Sequence, residues 1–466
     1  MSAPLTAILI GAGQRGADSY APYALQNPDL LKFVAVAEPD PKRKESFCKK
    51  HQIDSESAFD TWEELLSKPQ IADVAFICTQ DWMHTEPAVA AMRAGYHVLL
   101  EKPMANRADE CRLLLDVSRE TERQLVICHV LRYTDHFNKM RELIETGVLG
   151  EIIQVAHREN VSFWHMAHSY VRGNWRNQTE TSPMILAKSC HDLDILPWVL
   201  QQKSVEMVSM GALNHFKQEN APEGAPKRCL DGCPVADTCP YYAPFIYLEM
   251  APFWNNVADT THGFARWASH TYPRNPNMIK ALSTVVPILK GITNYQGFPI
   301  SILDSNPTQE NLLKALQEGP YGRCVYFCDN DVVDHQVVMM RMDGGAQVTF
   351  TMHGHSHYEH RSTRIEGSHG RLTAEFGLGG SWIEVDEHRT DWHQKFDTSA
   401  EIGAGHGGGD FQLVAYFLDS IKNGSFEDAY NGTKEALESH LLAFAAEESR
   451  LNKKILTREA WEVEIE

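Results

Sequence analysis

Between Ala7 and about Val130 the chain alternates short apolar runs, AILIG, FVAVAE, ADVAFICT, HVLLEKP and QLVICHV, with longer polar stretches of helical periodicity. Continuous apolar runs separated by helices predict parallel strands buried on both faces, that is, a doubly wound α/β domain over residues 1–130. After Leu149 and Gly150 the pattern changes. EIIQVAHREN, VDHQVVMMRM, AQVTFTMHG, RSTRIEG and RLTAEF alternate apolar and polar positions, which predicts an open, largely antiparallel sheet with one packed face. Residues 131–466 therefore read as an α+β domain. Within it, residues 214–321 form a polar, Pro- and aromatic-rich insertion of weak periodicity, a length that is usually functional and suits a pocket wall or an oligomer contact. FQLVAYFLDSIKNG and KEALESHLLAFAAEESRL read as two amphipathic helices returning to the body.

The first strand runs into GAGQRG, Gly11 to Gly16, and Glu38 ends the second apolar run. Each part has a role in binding a dinucleotide. Gly11 permits the strand-to-helix turn, Gly13 lets backbone approach a pyrophosphate, and Gly16 lets helix and strand pack closely. The free N–H groups of Gln14, Arg15 and their neighbours at the new helix N-terminus would meet the anion. Glu38 can accept from ribose hydroxyls and repels a 2′-phosphate, which favours NAD over NADP, although Lys42, Arg43 and Lys44 lie close by in sequence.

Composition narrows the partners. With 466 residues, 43% hydrophobic, the chain is long enough for two folded domains. A formal charge of −19 argues against nucleic acid or an anionic membrane as partner. The N-terminus shows no export signal and no apolar stretch reaches membrane-spanning length, so the ten cysteines are expected to be reduced thiols in a cytoplasm.

GAGQRG, Glu38, Thr79 with His84, the EKP of Glu101, Lys102 and Pro103, the SCHDLDIL segment, GHGGGD at 405–410 and AAEESR at 445–450 together resemble the Gfo/Idh/MocA family of nicotinamide-dependent sugar and polyol oxidoreductases. The resemblance implies a Rossmann domain that binds NAD through Gly11, Gly13, Gln14, Arg15, Gly16, Glu38, Thr79, His84, Glu101 and Lys102. It also implies homodimers or homotetramers built through the open face of the second sheet, and a Lys102 that points at the reacting hydroxyl. That ammonium would orient the hydroxyl and stabilise the developing oxyanion, or accept a proton if its pKa is lowered. At helical spacing Lys188, His191 and Asp194 share one face, and His191 is expected to hydrogen-bond the reacting hydroxyl. Family members often carry Asp four residues before the histidine; here that position is Ala187, with Lys188 as the orienting group in its stead. Two neighbouring lysines would depress each other's pKa and make one a better base.

The segment HRENVSFWHMAHSYVRGNWRN offers His165, His168, Tyr170, Arg172, Trp175 and Arg176 as sugar-contacting groups, or as core. Arg132 and Tyr133, in the hinge between the domains, read either as ligand contacts or as packing; His335 and Gln336 could reach the same pocket from the second sheet. Cys229, Cys233 and Cys239 in KRCLDGCPVADTCPYY could ligate structural zinc or an iron–sulfur cluster, although Cys-x3-Cys-x5-Cys matches no standard finger and no fourth ligand is apparent. The expected activity is hydride transfer between a secondary hydroxyl of a sugar, polyol or glycoside and nicotinamide, without a catalytic metal. The alternative is a glycosidase that uses retained NAD to oxidise the glycoside transiently, eliminate the aglycone and re-reduce the product. A non-catalytic sensor of dinucleotide and sugar is disfavoured by the presence of both Lys102 and His191.

Overall fold

A computed structural model describes residues 3–259, 261–377, 380–400 and 405–462. Six parallel strands form the first sheet: β1 (Leu5–Ile10), β2 (Leu31–Ala37), β3 (Ala58–Phe59), β4 (Val74–Ile77), β5 (His97–Leu100) and β6 (Leu125–Ile127), in the order β3-β2-β1-β4-β5-β6. Residues Ala7 to Leu9 of β1 and all of β4 are 0% exposed, because helices cover both faces of the sheet. The order reverses between β1 and β4, where the strands' carboxyl ends open a crevice. The helix Pro41–His51 after β2 starts cleanly: Pro41 sits at its first position, and the Asp40 carboxylate accepts from the amides of Lys42 and Arg43, both at 2.9 Å.

The second sheet has nine strands: β7 (Ile152–Ser162), β8 (Ser204–Ala212), β9 (His335–Met342), β10 (Gln347–Ser356), β11 (His360–Gly367), β12 (Gly370–Gly377), β13 (Trp382–Glu387), β14 (His393–Asp397) and β15 (Leu456–Thr457). They run in the order β14-β13-β12-β11-β7-β10-β9-β8-β15, antiparallel except for the parallel pair β7–β10. One face is core and the other open: Val338 and Met340 are buried, whereas Met339 between them is 53% exposed. The insertion is helical rather than an irregular loop, with Ala251–Asp259, Gly263–Thr271, Pro276–Ser283 and Gln309–Glu318 as its longer helices. No helix among the described residues is long and apolar enough to cross a membrane.

The helix Phe426–Asn452 ties the two sheets together. Its Thr433 hydroxyl donates to the Leu125 carbonyl of β6, and its Ser449 Oγ accepts from the Ser209 amide of β8 at 2.9 Å. His440 is fixed in one tautomer: Nε2 accepts from the Met104 amide at 2.7 Å, so Nδ1–H donates to the Ala436 carbonyl at 2.7 Å. Burial lowers its pKa to about 3, and burial also lowers that of His136, packed against Phe137 and Phe376, to about 3. Both folded-state values lie below the unfolded value near 6.5, so their contribution is complete above that pH and is lost as pH falls toward 3. Each unprotonated imidazole lowers stability by about 1.4 kcal/mol per pH unit in that window. Urea titrations between pH 6 and pH 4 should therefore show stability falling with at least two protons' slope, and His136→Phe should remove about one; an unchanged slope would contradict the assignment.

Candidate active site

The carboxyl ends of β1, β4 and β5 and the start of the second domain build one site. Gly11 turns out of β1 at φ +92°, and a Cβ there would lie 2.6 Å from the Cys78 carbonyl oxygen. Gly13, by contrast, has an ordinary extended backbone (φ −76°, ψ −170°) and nothing within 4 Å of where a Cβ would be. That space beside the helical turn Gln14–Tyr20 is the cradle an anion would fill. Glu38 follows β2, with Oε2 accepting from the Ala12 amide at 2.7 Å and Oε1 from the Asp40 amide at 2.9 Å, which pins its carboxylate beside the glycine loop. Each oxygen keeps a lone pair for a ribose hydroxyl. The residues present thus fit a dinucleotide.

The two glycines are separable by experiment. Gly13→Val should fold normally and lose NAD affinity by at least tenfold, because its side chain enters the cradle alone. Gly11→Ala should instead destabilise the fold by about 1–3 kcal/mol through backbone strain and the clash. Thermal melts alongside NAD titrations check both; equal melting losses would remove the distinction.

Arg15 is committed to side-chain partners. Its Nε donates to Glu101 Oε1 at 2.5 Å and its Nη2 to Asp410 Oδ1 at 2.8 Å, and it also donates to Tyr20. Tyr20 OH donates to the same Glu101 oxygen at 2.7 Å, and Glu101 Oε2 accepts from the Lys102 amide at 2.7 Å. Burial works to raise the Glu101 pKa, but Arg15 and Lys102 outweigh it and hold the group ionised. Arg15 and Glu101 therefore act as the mount for Lys102. Gln14 is exposed at the start of the helical turn. Thr79 Oγ donates to the Met83 carbonyl at 3.2 Å, while His84 lies between the carbonyls of Pro103 (2.7 Å) and Thr79 (3.3 Å), tying the end of β4 to the EKP turn.

Lys102 emerges from the end of β5 and donates from Nζ to the Ala187 carbonyl at 2.9 Å. The partner is thus the backbone of the residue at which family members often carry Asp. His191, in the helix Cys190–Leu200, is 5% exposed, and its Nδ1 has no hydrogen-bond partner. Burial, then the Lys102 charge, then His129 and His406 drive its pKa well below 6.5, so the ring is neutral. Behind it, His129 lies 5.9 Å away ring to ring, with Nδ1 2.6 Å from Asp194.

The remaining charges are paired. Lys188 Nζ donates to Glu359 Oε1 at 2.5 Å and lies 3.4 Å from Glu159. Burial acts to lower its pKa, but Glu359 and Glu159 prevail and hold it well above the usual lysine value. The expectation of a lysine with depressed pKa at this position is thus corrected: the neighbours that decide it are carboxylates. Asp194 is also taken up, by Arg132 through two 2.7 Å bonds and by His129, and burial fails to overcome Arg132 in holding it ionised. Arg132 also pairs with Glu435 at 2.7 Å, and Tyr133 packs on Tyr416. Gln336 donates to Ser209 and His335 pairs with Asp334.

Of the aromatic segment, His165, Tyr170 and Trp175 form one run of neighbouring rings. His165 Nδ1 is 2.5 Å from Glu359, Tyr170 stands 6.1 Å ring to ring from both His165 and Trp175, and Trp175 donates to Asp81 at 2.7 Å, bridging the second domain to the loop after β4. His168 stacks on Tyr321 in the insertion. Arg176 pairs at the surface with Asp329 at 3.0 Å.

Comparison with known proteins agrees with this geometry. Residues 5–129 match the model GFO_IDH_MocA, described as an oxidoreductase family with an NAD-binding Rossmann fold, and residues 141–269 match that family's C-terminal alpha/beta domain. The chain belongs to the Gfo/Idh/MocA oxidoreductase family. Among curated members it is similar to the putative oxidoreductase YteT of Bacillus subtilis, 24% identical over 82% of this chain and 81% of that protein. The D-glucoside 3-dehydrogenase of Escherichia coli is 31% identical, but over 32% of this chain and only 42% of that protein's length. The fold is that of levoglucosan dehydrogenase solved with NADH and levoglucosan, with TM-score 0.63, 16% identity and coverage of 97% and 99% of the two chains.

Two sequence expectations are corrected against this family frame. Arg172 is 0% exposed and serves the insertion: Nε donates to the Arg323 carbonyl and Nη2 to the Tyr241 carbonyl, both at 2.7 Å, with Cys229 Sγ at 3.6 Å. It is a structural cation, not a substrate contact. Among the described residues no three His, Cys, Asp or Glu side chains are grouped to hold a metal ion, so Cys229, Cys233 and Cys239 make no metal site; each is a free thiol lining a small cavity with Cys324 and Arg172. Cys229 is buried against the Arg172 guanidinium, and the long Cys-x5-Cys spacing crosses a turn without closing a chelate.

Proposed function

We propose that this protein catalyses the reversible NAD-dependent oxidation of a secondary hydroxyl on a sugar, polyol or glycoside. The observation that carries this reading is the placement of Lys102. Its ammonium follows the carboxyl end of β5, meets the Ala187 carbonyl, and lies close enough to neutral His191 for its charge to act on that ring. Bound nicotinamide would supply the hydride acceptor. As hydride leaves the carbinol carbon for that acceptor, the hydroxyl proton would move to the His191 ring and the new carbonyl oxygen would stay against Lys102 Nζ. The lysine's charge stabilises the alkoxide character that develops on that oxygen, and the neutral ring accepts the hydroxyl proton. Trp175, half-buried, offers a ring face for the apolar face of a sugar.

The carbonyl at residue 187 also supports a second reading. With no carboxylate side chain at residue 187, transient oxidation could be followed by loss of the proton next to the new carbonyl, departure of the aglycone and return of the same hydride. One experiment separates the two: a panel of sugars, polyols and glycosides followed for NADH absorbance and aglycone release. Net NADH establishes the dehydrogenase; aglycone release without net NADH establishes the glycosidase; neither product from any substrate overturns both.

A further inference from the structure

Resting on the sugar-oxidoreductase reading, we propose that Glu359 is a specificity-determining residue that makes this pocket select uncharged sugars over sugar acids and sugar phosphates. Glu359 lies between β10 and β11, and its carboxylate joins two pocket-wall groups: Oε1 accepts from Lys188 Nζ and Oε2 meets His165 Nδ1, both at 2.5 Å. Their side chains are 14% to 23% exposed, so this trio forms the more accessible end of the network. Behind it Glu159 and Asp192, both 0% exposed, flank Arg361, which binds Asp192 at 2.7 Å and also meets Glu159.

The balance of this network decides what it can receive. Three carboxylates, Glu159, Asp192 and Glu359, face two fixed cations, Lys188 and Arg361. The wall therefore carries no surplus positive charge. Binding an anionic substituent on Lys188 would require Glu359 to release it, which leaves a carboxylate beside the incoming anion. A sugar hydroxyl meets no such conflict, because it both donates and accepts: Glu359 takes its proton while Lys188 or His165 donates to its oxygen. Paired donor and acceptor side by side match a neutral vicinal diol.

The test uses the full chain with NAD and matched pairs of methyl glycosides: gluco, galacto and manno hexosides, each against its hexuronoside and its 6-phosphate. The expected result is a kcat/KM at least tenfold higher for the neutral member of the best pair. Glu359→Gln should reduce that ratio by about tenfold through a gain on the anionic member, since it frees the Lys188 charge, whereas Lys188→Met should raise the ratio. Opposite movements of the two variants are an outcome that a merely structural role for the pair would not give. Preference of the wild type for anionic members, or an equal fall on both members in Glu359→Gln, would overturn the proposal. Calorimetric binding of the same pairs to NAD-loaded protein reads the charge preference without turnover. Tighter binding of neutral members without NADH formation would sustain this inference while refuting the dehydrogenase reading, and binding of no member would overturn both.

Discussion

Replacement of Lys102 by Met is expected to lower turnover on the order of 10^3-fold or more while leaving the fold and NAD affinity nearly unchanged. The magnitude follows from removing a charged donor aimed at an oxygen that becomes negative as hydride departs, in a site partly closed to water. The fold should survive because the Lys102 ammonium makes one hydrogen bond, to the Ala187 carbonyl, and the strand end is held by Glu101 through Arg15, Tyr20 and the Lys102 amide. Single-turnover absorbance at 340 nm, with NAD binding by fluorescence quenching and a thermal melt, separates the effects. An active Lys102→Met protein would sink the proposed mechanism; lost NAD affinity would make Lys102 a cofactor contact above all.

His191→Asn should cost about 10^2-fold in kcat, within the usual range for a positioned general base. The neutrality of His191 adds a second signature. Its folded pKa lies well below 6.5, because burial and the Lys102 charge both oppose protonation, so the acid limb of kcat/KM near pH 6.5 should not belong to it. If the wild-type profile falls with an apparent pKa near 6.5 and that limb vanishes in His191→Asn, the ring is charged at the bottom of the working range and its assignment as a standing acceptor is wrong.

Much of this architecture is legible in the chain because it depends on local pattern. Ala7–Ile10 reads as a strand from its apolar run, and β9 reads as half-buried from the alternation of Val338, Met339 and Met340. The turn at Gly11 is legible too, since few other residues tolerate its φ. Residues 214–321 are less legible: their helices are short, so periodicity never extends over several turns. Glu359 was missed altogether. Its only signal was an acidic residue amid the histidines of HGHSHYEH, where two strands meet.

What the sequence determined by itself was the parallel sheet with its glycine turn, the half-open second sheet, and Lys102 at a strand's carboxyl end. These follow from hydrophobic periodicity and backbone stereochemistry, which act over a few neighbouring residues. What only the tertiary structure decided was the state of each polar group. Lys188 is neutralised by a carboxylate 171 positions away, Asp194 is taken by an arginine 62 positions before it, Arg15 braces a glutamate 86 positions on, and Cys229 meets Arg172 rather than a metal. Electrostatic partnership is set by distance in space and by the loss of water around the pair, and spacing along the chain carries neither.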